Sequence, residues 1–377
     1  MLALAVLPAA PVVSDPLTIF FVDPTYADYS GDAMVVQTPD GRCYIVDGGE
    51  RDLPEWDCGR DRVAPLLDSL EVPALDGIVA THPHADHIGG LIYLLQHYPV
   101  DHVWDNGLEY STYTYEQYVT AVAQSGAEYE VVRRGDFLDW GPSLTVEAVH
   151  PTDPLGQFSV NSTSIVLRVT YGNVSFLLAG DLETADGEAS VLQALGQGDI
   201  ETISAQVLKV GHQGSSDATS NTWLSNVAPV WAAICVGAGN PYGHPHWETL
   251  QRLYSYGVEI FRTDLDGTFY ISTDGDSLYY NSLPGGGGPG GPQQAELSVY
   301  PNPATEVVTI AWPGETTRSL TIYNMLGETV HEASSVTSPY EWDLRLPGGG
   351  LASPGLYIAV TESGGGERRD RCFALSR

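Results

Sequence analysis

The stretch THPHADHIGG at residues 81–90 sets His82, His84, Asp86 and His87 within six positions and closes on two glycines. Histidine is scarce in this chain, ten among 377 residues, so abundance does not explain the cluster. Solvation needs no such pattern. Imidazole and carboxylate together suit zinc, and also manganese or iron. His82 and His84, one residue apart, can direct both rings inward from a tight loop, while the adjacent Asp86 and His87 reach a second point. Further polar groups close apolar segments: His150 follows VEAV, Asp181 follows SFLLAG and His212 follows VLKVG. Each alone reads as an ordinary hydrogen-bonding residue. Together with the HxHxDH run they make six or seven candidate ligands, enough for two ions.

These groups need a scaffold that gathers them. LTIFFV (17–22), AMVVQT (33–38) and RCYIV (42–46) read as strands, the last two joined by the turn PDG. The third runs into DGG at Asp47–Gly49. VAPLLDSL supplies the apolar face of a helix that begins near Arg60. LDGIVA at 75–80 is a strand, the histidine run starts at its C-terminal end, and GGLIYLLQHY has helical periodicity. Strand, polar loop, helix is a frequent setting for a site. Downstream come a helix over 114–124, a strand over 143–149 and two strands within SIVLRVTYGNVSFLLAGD. An acidic helical region follows to about 195, then the strand AQVLKVGH, the helix SNTWLSNV and the strand VWAAICVG. The loop AGNPYGHPH, the helix WETLQRLYSYG and three short strands complete residues 17–283. Strands mixed with helices suggest strand layers covered by helices.

The length fits two or three domains, and an apolar fraction of 43% is ample for packed cores. PGGGGPGGP at 284–292 reads as a linker. Residues 293–377 read as a separate all-β module. Charge shifts across the linker: residues 1–283 carry 38 acids against 10 bases, and residues 293–377 carry 10 against 6. A balance of −28 on the first part repels polyanions at long range and suits a salty or extracellular setting. It argues against non-specific nucleic-acid binding, which draws on several phosphate contacts, but bound cations reverse the local field. The cysteines form no CxxC pair, so a thiolate zinc site is not expected. Cys235 reads as a buried thiol, and Cys43 and Cys58 could be bridged in an exported chain. Residues 1–16 are apolar without a preceding Lys or Arg; they read as a signal-peptide remnant or a frayed end feeding the first strand. No stretch reads as transmembrane.

Taken with DGG, VHP (149–151), NSTSIVLRVTYGNVSFLLAGD (161–181), LKVGHQGSSDATS (208–220) and NPYGHP (240–245), the histidine run resembles the metallo-β-lactamase-fold hydrolases. The branch is similar to the soluble domain of ComEC-type competence proteins. The resemblance covers roughly residues 17–275. It implies the α+β class, with an αββα sandwich and two metal ions at one edge, zinc first and manganese second. It also implies that His82, His84 and His150 hold one ion, that Asp86, His87 and His212 hold the other, and that Asp181 bridges. A hydroxide shared by the ions would attack the substrate, with Asp86 orienting the water. Asn161 lies where the family often has a GHT-like loop, so it supports the site or replaces His150 as a weak ligand. Where the branch commonly has two histidines before GS, this chain has HQGS. Gln213 cannot take a proton as histidine can, and His244 is the natural substitute as general acid or transition-state stabiliser. His246 reads as structural or exposed. Ser215 and Ser216 either donate to a phosphate or cap a loop. Lys209 pairs with an acid or touches substrate. The expected catalytic residues are therefore Asp86, Asp181 and His244.

The branch implies hydrolysis of a phosphodiester, with DNA or RNA the leading substrate class. The acidic surface would better suit a short nucleotide, a cell-wall phosphodiester or another small anion. Hydrolysis of a lactone, thioester or β-lactam by the same hydroxide is the enzymatic alternative. An exported metal-binding protein without turnover is the other. VYPNPATEVVTI, LTIYNMLGETV and GLYIAVT resemble the C-terminal sorting domain of the type IX secretion system. That likeness implies a small immunoglobulin-like β-sandwich, secretion machinery as partner, and a place outside the cell or on its surface.

Overall fold

In the strand Ala33–Gln37, Met34 and Val36 face one way, Ala33 and Val35 the other, and all four are buried. In Cys43–Gly48, Tyr44 and Val46 face one side and Cys43 and Ile45 the other. Period-two alternation with apolar groups on both faces belongs to a sheet covered on both sides. The computed structural model describes residues 15–283 and, within 297–375, all but 301–303, 305, 313–316, 325–326 and 364–367. The linker at 284–292 lies outside the described residues, as does nearly all of the 1–16 segment.

Two sheets carry the first part of the chain. In space, one runs Leu278–Ser282, Phe269–Thr273, Leu17–Phe21, Ala33–Gln37, Cys43–Gly48, Leu75–Ala80, Val100–Asp105, Glu128–Val131. The other runs Glu259–Arg262, Trp231–Ile234, Val207–Lys209, Val174–Leu178, Val166–Tyr171, Thr145–His150. Side chains from both sheets, among them Ile19, Val46, Val79, Leu167, Phe176 and Val207, share one buried core. The outer face of the first sheet packs on Ala85–His97 and Tyr113–Ser125. That of the second packs on Ala189–Gln197, Asn221–Val227 and Trp247–Ser255. Helices thus sandwich two sheets, as the sequence suggested.

Parallel pairing delivers strand ends to a common edge. Cys43–Gly48, Leu75–Ala80 and Val100–Asp105 are mutually parallel, and so are Val174–Leu178, Val207–Lys209 and Trp231–Ile234. Their C-terminal ends lead into Asp47, His82, Asp181 and His212. The two glycines that close the histidine run seat the helix Ala85–His97. A Cβ on Gly90 would collide with the Gly48 carbonyl oxygen and lie 2.5 Å from the Gly59 nitrogen. The Gly90 amide donates to the Gly49 carbonyl at 3.0 Å. The glycines of the two motifs therefore let helix and strand end touch backbone to backbone, which fixes His87 one turn earlier.

Cys43 and Cys58 are both free thiols. Cys43 opens its strand, whereas the Cys58 sulfur packs against Gly49 beyond the strand's far end. Five strand residues between them span roughly 16 Å, well beyond disulfide reach.

The tail is a small β-rich unit. Ser298–Tyr300, Val308–Ala311 and Tyr340–Trp342 form one sheet, and Thr329–Val336, Arg318–Asn324, Gly355–Ser363 and Arg368–Leu375 another. Val308, Ile310, Leu320, Ile322 and Trp342 form a core of their own.

Candidate metal centre

His84 stands at the N-cap of Ala85–His97, so the first helical turn presents Asp86 and His87. A carboxylate there is favoured by the helix dipole. His87 is fully buried, with Nδ1 2.7 Å from Asp47 Oδ2 and Nε2 3.1 Å from Asp181 Oδ2 and 3.8 Å from Asp86 Oδ2. Asp47 is held in turn by the Thr81 amide at 2.8 Å and hydroxyl at 2.7 Å. His82 Nε2 lies 3.0 Å from His84 Nδ1, and the His82 ring centroid is 4.1 Å from that of His87. His212 Nε2 is 3.9 Å from Asp181 Oδ2.

Electrostatics follow from burial and neighbours. Burial opposes the charged form of His87, but Asp181, Asp47 and Asp86 outweigh it and hold the ring well above its ordinary pKa. For Asp181 burial again opposes charge, and His87, His212 and His82 overcome it, keeping the carboxyl well below its ordinary value. Burial, reinforced by His87, pushes His82 far down. His82, His87 and Asp181 offer one ligand atom each within 4.8 Å of one another, and Glu183, His212 and Asp217 do the same alongside. His87 Nε2 faces only carboxylate oxygens, and Asp181 Oδ1 and Asn161 Oδ1 are buried without a hydrogen-bond partner. Unspent donor atoms on imidazoles and carboxylates, converging from several strand ends, fit a cation.

Of the expected ligands, His82, His84, Asp86, His87, Asp181 and His212 meet at this edge. His150 stands apart: its Nε2 is 2.7 Å from the Ser162 carbonyl, and its ring abuts Phe158. Asn161 comes inward instead, its Nδ2 3.3 Å from His212 Nε2 and 2.7 Å from Glu183 Oε1. Gln213 Nε2 donates to Asp86 Oδ2 at 2.7 Å, and Gln213 Oε1 accepts from Ser30 Oγ at 2.5 Å. His212 and Gln213 are consecutive left-handed residues, φ 47° and 51°, a costly conformation that clusters at functional sites. The His244 ring lies 5.5 Å from that of His212, and burial, then His212 and His246, push its pKa down to about 4. Ser215 and Ser216 act through backbone: the Ser215 carbonyl accepts from Thr249 Oγ1, and the Ser216 amide donates to His246 Nδ1.

Lys209 pairs with an acid. It is fully buried against Asp32, donates to the Gly180 carbonyl at 2.8 Å and lies 3.9 Å from Asp181 Oδ1. Asp32 and the orienting role of Asp47 escaped sequence reasoning. Asp47, at a strand end before two glycines, carried a usable signal; Asp32, in SGDAM, carried none.

Burial also pushes His150 down to about 4 from 6.5. The unfolded chain then binds the extra proton between those values, so stability is full above pH 6.5 and falls as pH drops towards 4. The shift corresponds to about 3 kcal/mol. Urea unfolding of metal-free protein at pH 7 and pH 4.5 should register this loss, and His150→Gln should flatten the slope. An identical slope in the variant would refute the assignment.

Residues 27–237 match the Metallo-beta-lactamase superfamily, and residues 298–370 match the secretion system C-terminal sorting domain. The chain belongs to the metallo-β-lactamase superfamily and is a metal-dependent hydrolase carrying an export tail. It is 33% identical over 250 residues to ComE operon protein 3 of Bacillus subtilis, covering 63% of this chain and 31% of that protein. It is 29% identical over 205 residues to competence protein ComA of Neisseria gonorrhoeae, covering 54% and 26%. A shorter stretch, 67 residues at 39% identity, matches hydroxyacylglutathione hydrolase of Pectobacterium carotovorum, covering 17% and 22%. The chain thus spans less than a third of these relatives. The sorting tail assigns the protein to the extracellular space or cell surface. Among the described residues, no helix is long and apolar enough to cross a membrane.

Proposed function

We propose that this protein is an exported phosphodiesterase with two divalent ions, zinc or manganese. The observation that carries the reading is the convergence of His82, His84, Asp86, His87, Asp181 and His212 at one sheet edge with buried donor atoms unspent. With Asn161 in place of the His150 first expected, His82, His84 and Asn161 would hold one ion and Asp86, His87 and His212 the other. Asp181 lies between them. Bound there, the ions would supply a nucleophile from water at neutral pH and a Lewis acid for a phosphoryl oxygen.

The chain's own groups do the rest. Asp47 accepts from His87 Nδ1 and so leaves Nε2 free to ligate. Gln213 fixes the Asp86 carboxylate. His244, neutral at pH 7 with its pKa near 4, offers a hydrogen bond to the leaving oxygen rather than a charged acid. One P–O ester bond breaks, one forms to the oxygen of water, the attacking water gives a proton to solvent, and the leaving oxygen takes one from solvent.

Likeness to proteins named for competence and recombination supports a phosphodiester. The short match to hydroxyacylglutathione hydrolase favours a second reading, a thioester hydrolase on the same site. The two-sheet tail supports an immunoglobulin-like module at 293–377, joined by 284–292 to a catalytic unit at 17–283.

Metal-loaded protein should contain two ions per chain by elemental analysis. It should turn over bis(p-nitrophenyl) phosphate or single-stranded DNA, and a His82→Ala/Asp181→Ala control should not. Turnover of a thioester, lactone or chromogenic cephalosporin without any phosphodiester turnover would replace this reading with the second.

A further inference from the structure

Beside the metal edge, a cavity of about 370 Å³ opens onto Asp86. Asp28, Glu50 and Asp52 bring carboxyl groups to it, and Tyr29 and Tyr242 bring rings. Tyr242 is 67% exposed, a large aromatic surface left in water at the rim. The Tyr29 hydroxyl donates to Asp52, which holds ring and carboxylate side by side. Arg51 also lines the cavity, but its guanidinium is spent on Asp57 at 3.0 Å. The cavity therefore offers acidic and π-face groups with no cation left over.

Such a wall is wrong for a polyanion. Divalent ions would hold one phosphate, but a second phosphate of a nucleic-acid strand would meet carboxylates. It is suited to a bulky, weakly hydrated cation, which gains from aromatic faces and nearby negative charge together. The volume is that of a small organic group. Resting on the phosphodiesterase reading, we infer that the substrate is zwitterionic: a phosphodiester whose non-leaving arm ends in a quaternary ammonium of the choline type, seated between Tyr29, Tyr242 and the carboxylates of Asp28 and Asp52.

The test compares two esters with the same leaving group and nearly the same shape: p-nitrophenyl phosphorylcholine and p-nitrophenyl 3,3-dimethylbutyl phosphate, in which carbon replaces the charged nitrogen. With metal-loaded full-length protein, kcat/KM should favour the charged ester by about tenfold. In Asp28→Asn/Tyr242→Ala the ratio should fall towards one. A ratio taken within one variant is unaffected by how much of that variant is folded. Equal rates on the two esters in the unsubstituted protein would overturn the inference. If neither ester turns over while bis(p-nitrophenyl) phosphate or single-stranded DNA does, the inference is overturned; if no phosphodiester turns over at all, the phosphodiesterase reading fails, and calorimetric titration decides the cavity separately. Tighter binding of phosphorylcholine than of 3,3-dimethylbutyl phosphate supports it, and equal binding overturns it. Glycerophosphocholine and phosphatidylcholine vesicles, assayed in parallel, distinguish a soluble diester from a lipid headgroup.

Discussion

Asp181→Ala is expected to lower phosphodiester turnover about 10³-fold, on the scale of losing a preorganised charge at a reaction centre. It should also lower the metal content. Asp181 Oδ2 lies 3.1 Å from His87 Nε2 and 3.9 Å from His212 Nε2, and the other oxygen is buried without a hydrogen bond, 3.9 Å from Lys209 Nζ. No second carboxylate stands between those two imidazoles in the same way: Asp86 approaches only His87, and Glu183 only the outer side of His212. Removing the group leaves His87 with Asp47 behind it and only the more distant Asp86, 3.8 Å from Nε2, in front. Asp181→Asn keeps the volume and loses the charge, so it should fail almost as completely. Elemental analysis beside the kinetic assay separates loss of metal from loss of fold, and circular dichroism checks the latter. An alanine variant with two ions per chain and nearly full turnover would contradict the assignment.

Lys209→Met is expected to cost about 3–5 kcal/mol of stability, the range for breaking a buried ion pair at one end. Lys209 and Asp32 are both fully buried. Burial works against the ammonium, yet Asp32 and Asp181 outweigh it and raise its pKa, so the amine stays charged. Methionine keeps the length of the stem but strands the Asp32 carboxylate in the core and leaves the Gly180 carbonyl with the His212 amide as its one donor. Adding Asp32→Leu should recover most of the loss, because a pair replaced by apolar groups no longer leaves a lone charge. Urea unfolding of both single variants and the double variant measures the coupling. A single-variant loss under about 1 kcal/mol would mean that the pair is not the buried one described.

Part of this site was legible because residue type and position coincided. His84, Asp86 and His87 lie within one helical turn and its cap, with His82 in the loop just before, and the ends of apolar runs located Asp181 and His212. The layers were legible from period-two runs such as AMVVQ and CYIV. What could not be read depended on contacts across long stretches of chain. Asp32 meets Lys209 from 177 positions away, and Asp47 meets His87 from 40. The choice between His150 and Asn161 turns on a loop. The short helical turns Leu155–Gln157 and Asn161–Thr163 bring Asn161 to His212 while the Ser162 carbonyl engages His150. No periodicity encodes that. The Cys43–Cys58 pairing failed for a similar reason. Fifteen residues of sequence separation looked bridgeable, but the strand between them holds the thiols apart.

Lys209 is the chain's sole lysine, and none of its surface reaches solvent. Its ε-amine is therefore closed to acylating labels, aldehyde fixatives and lysine-specific endoproteases while the domain is folded. Arginine alone supplies the accessible basic side chains, so a protease that cuts after lysine has no foothold on the intact molecule. Conversely, acylation of that one amine is a yes-or-no record of whether the interior has opened. In a mixture of extracellular proteins rich in surface lysine, this chain would be the one whose lysine side chain amine chemistry leaves unmodified.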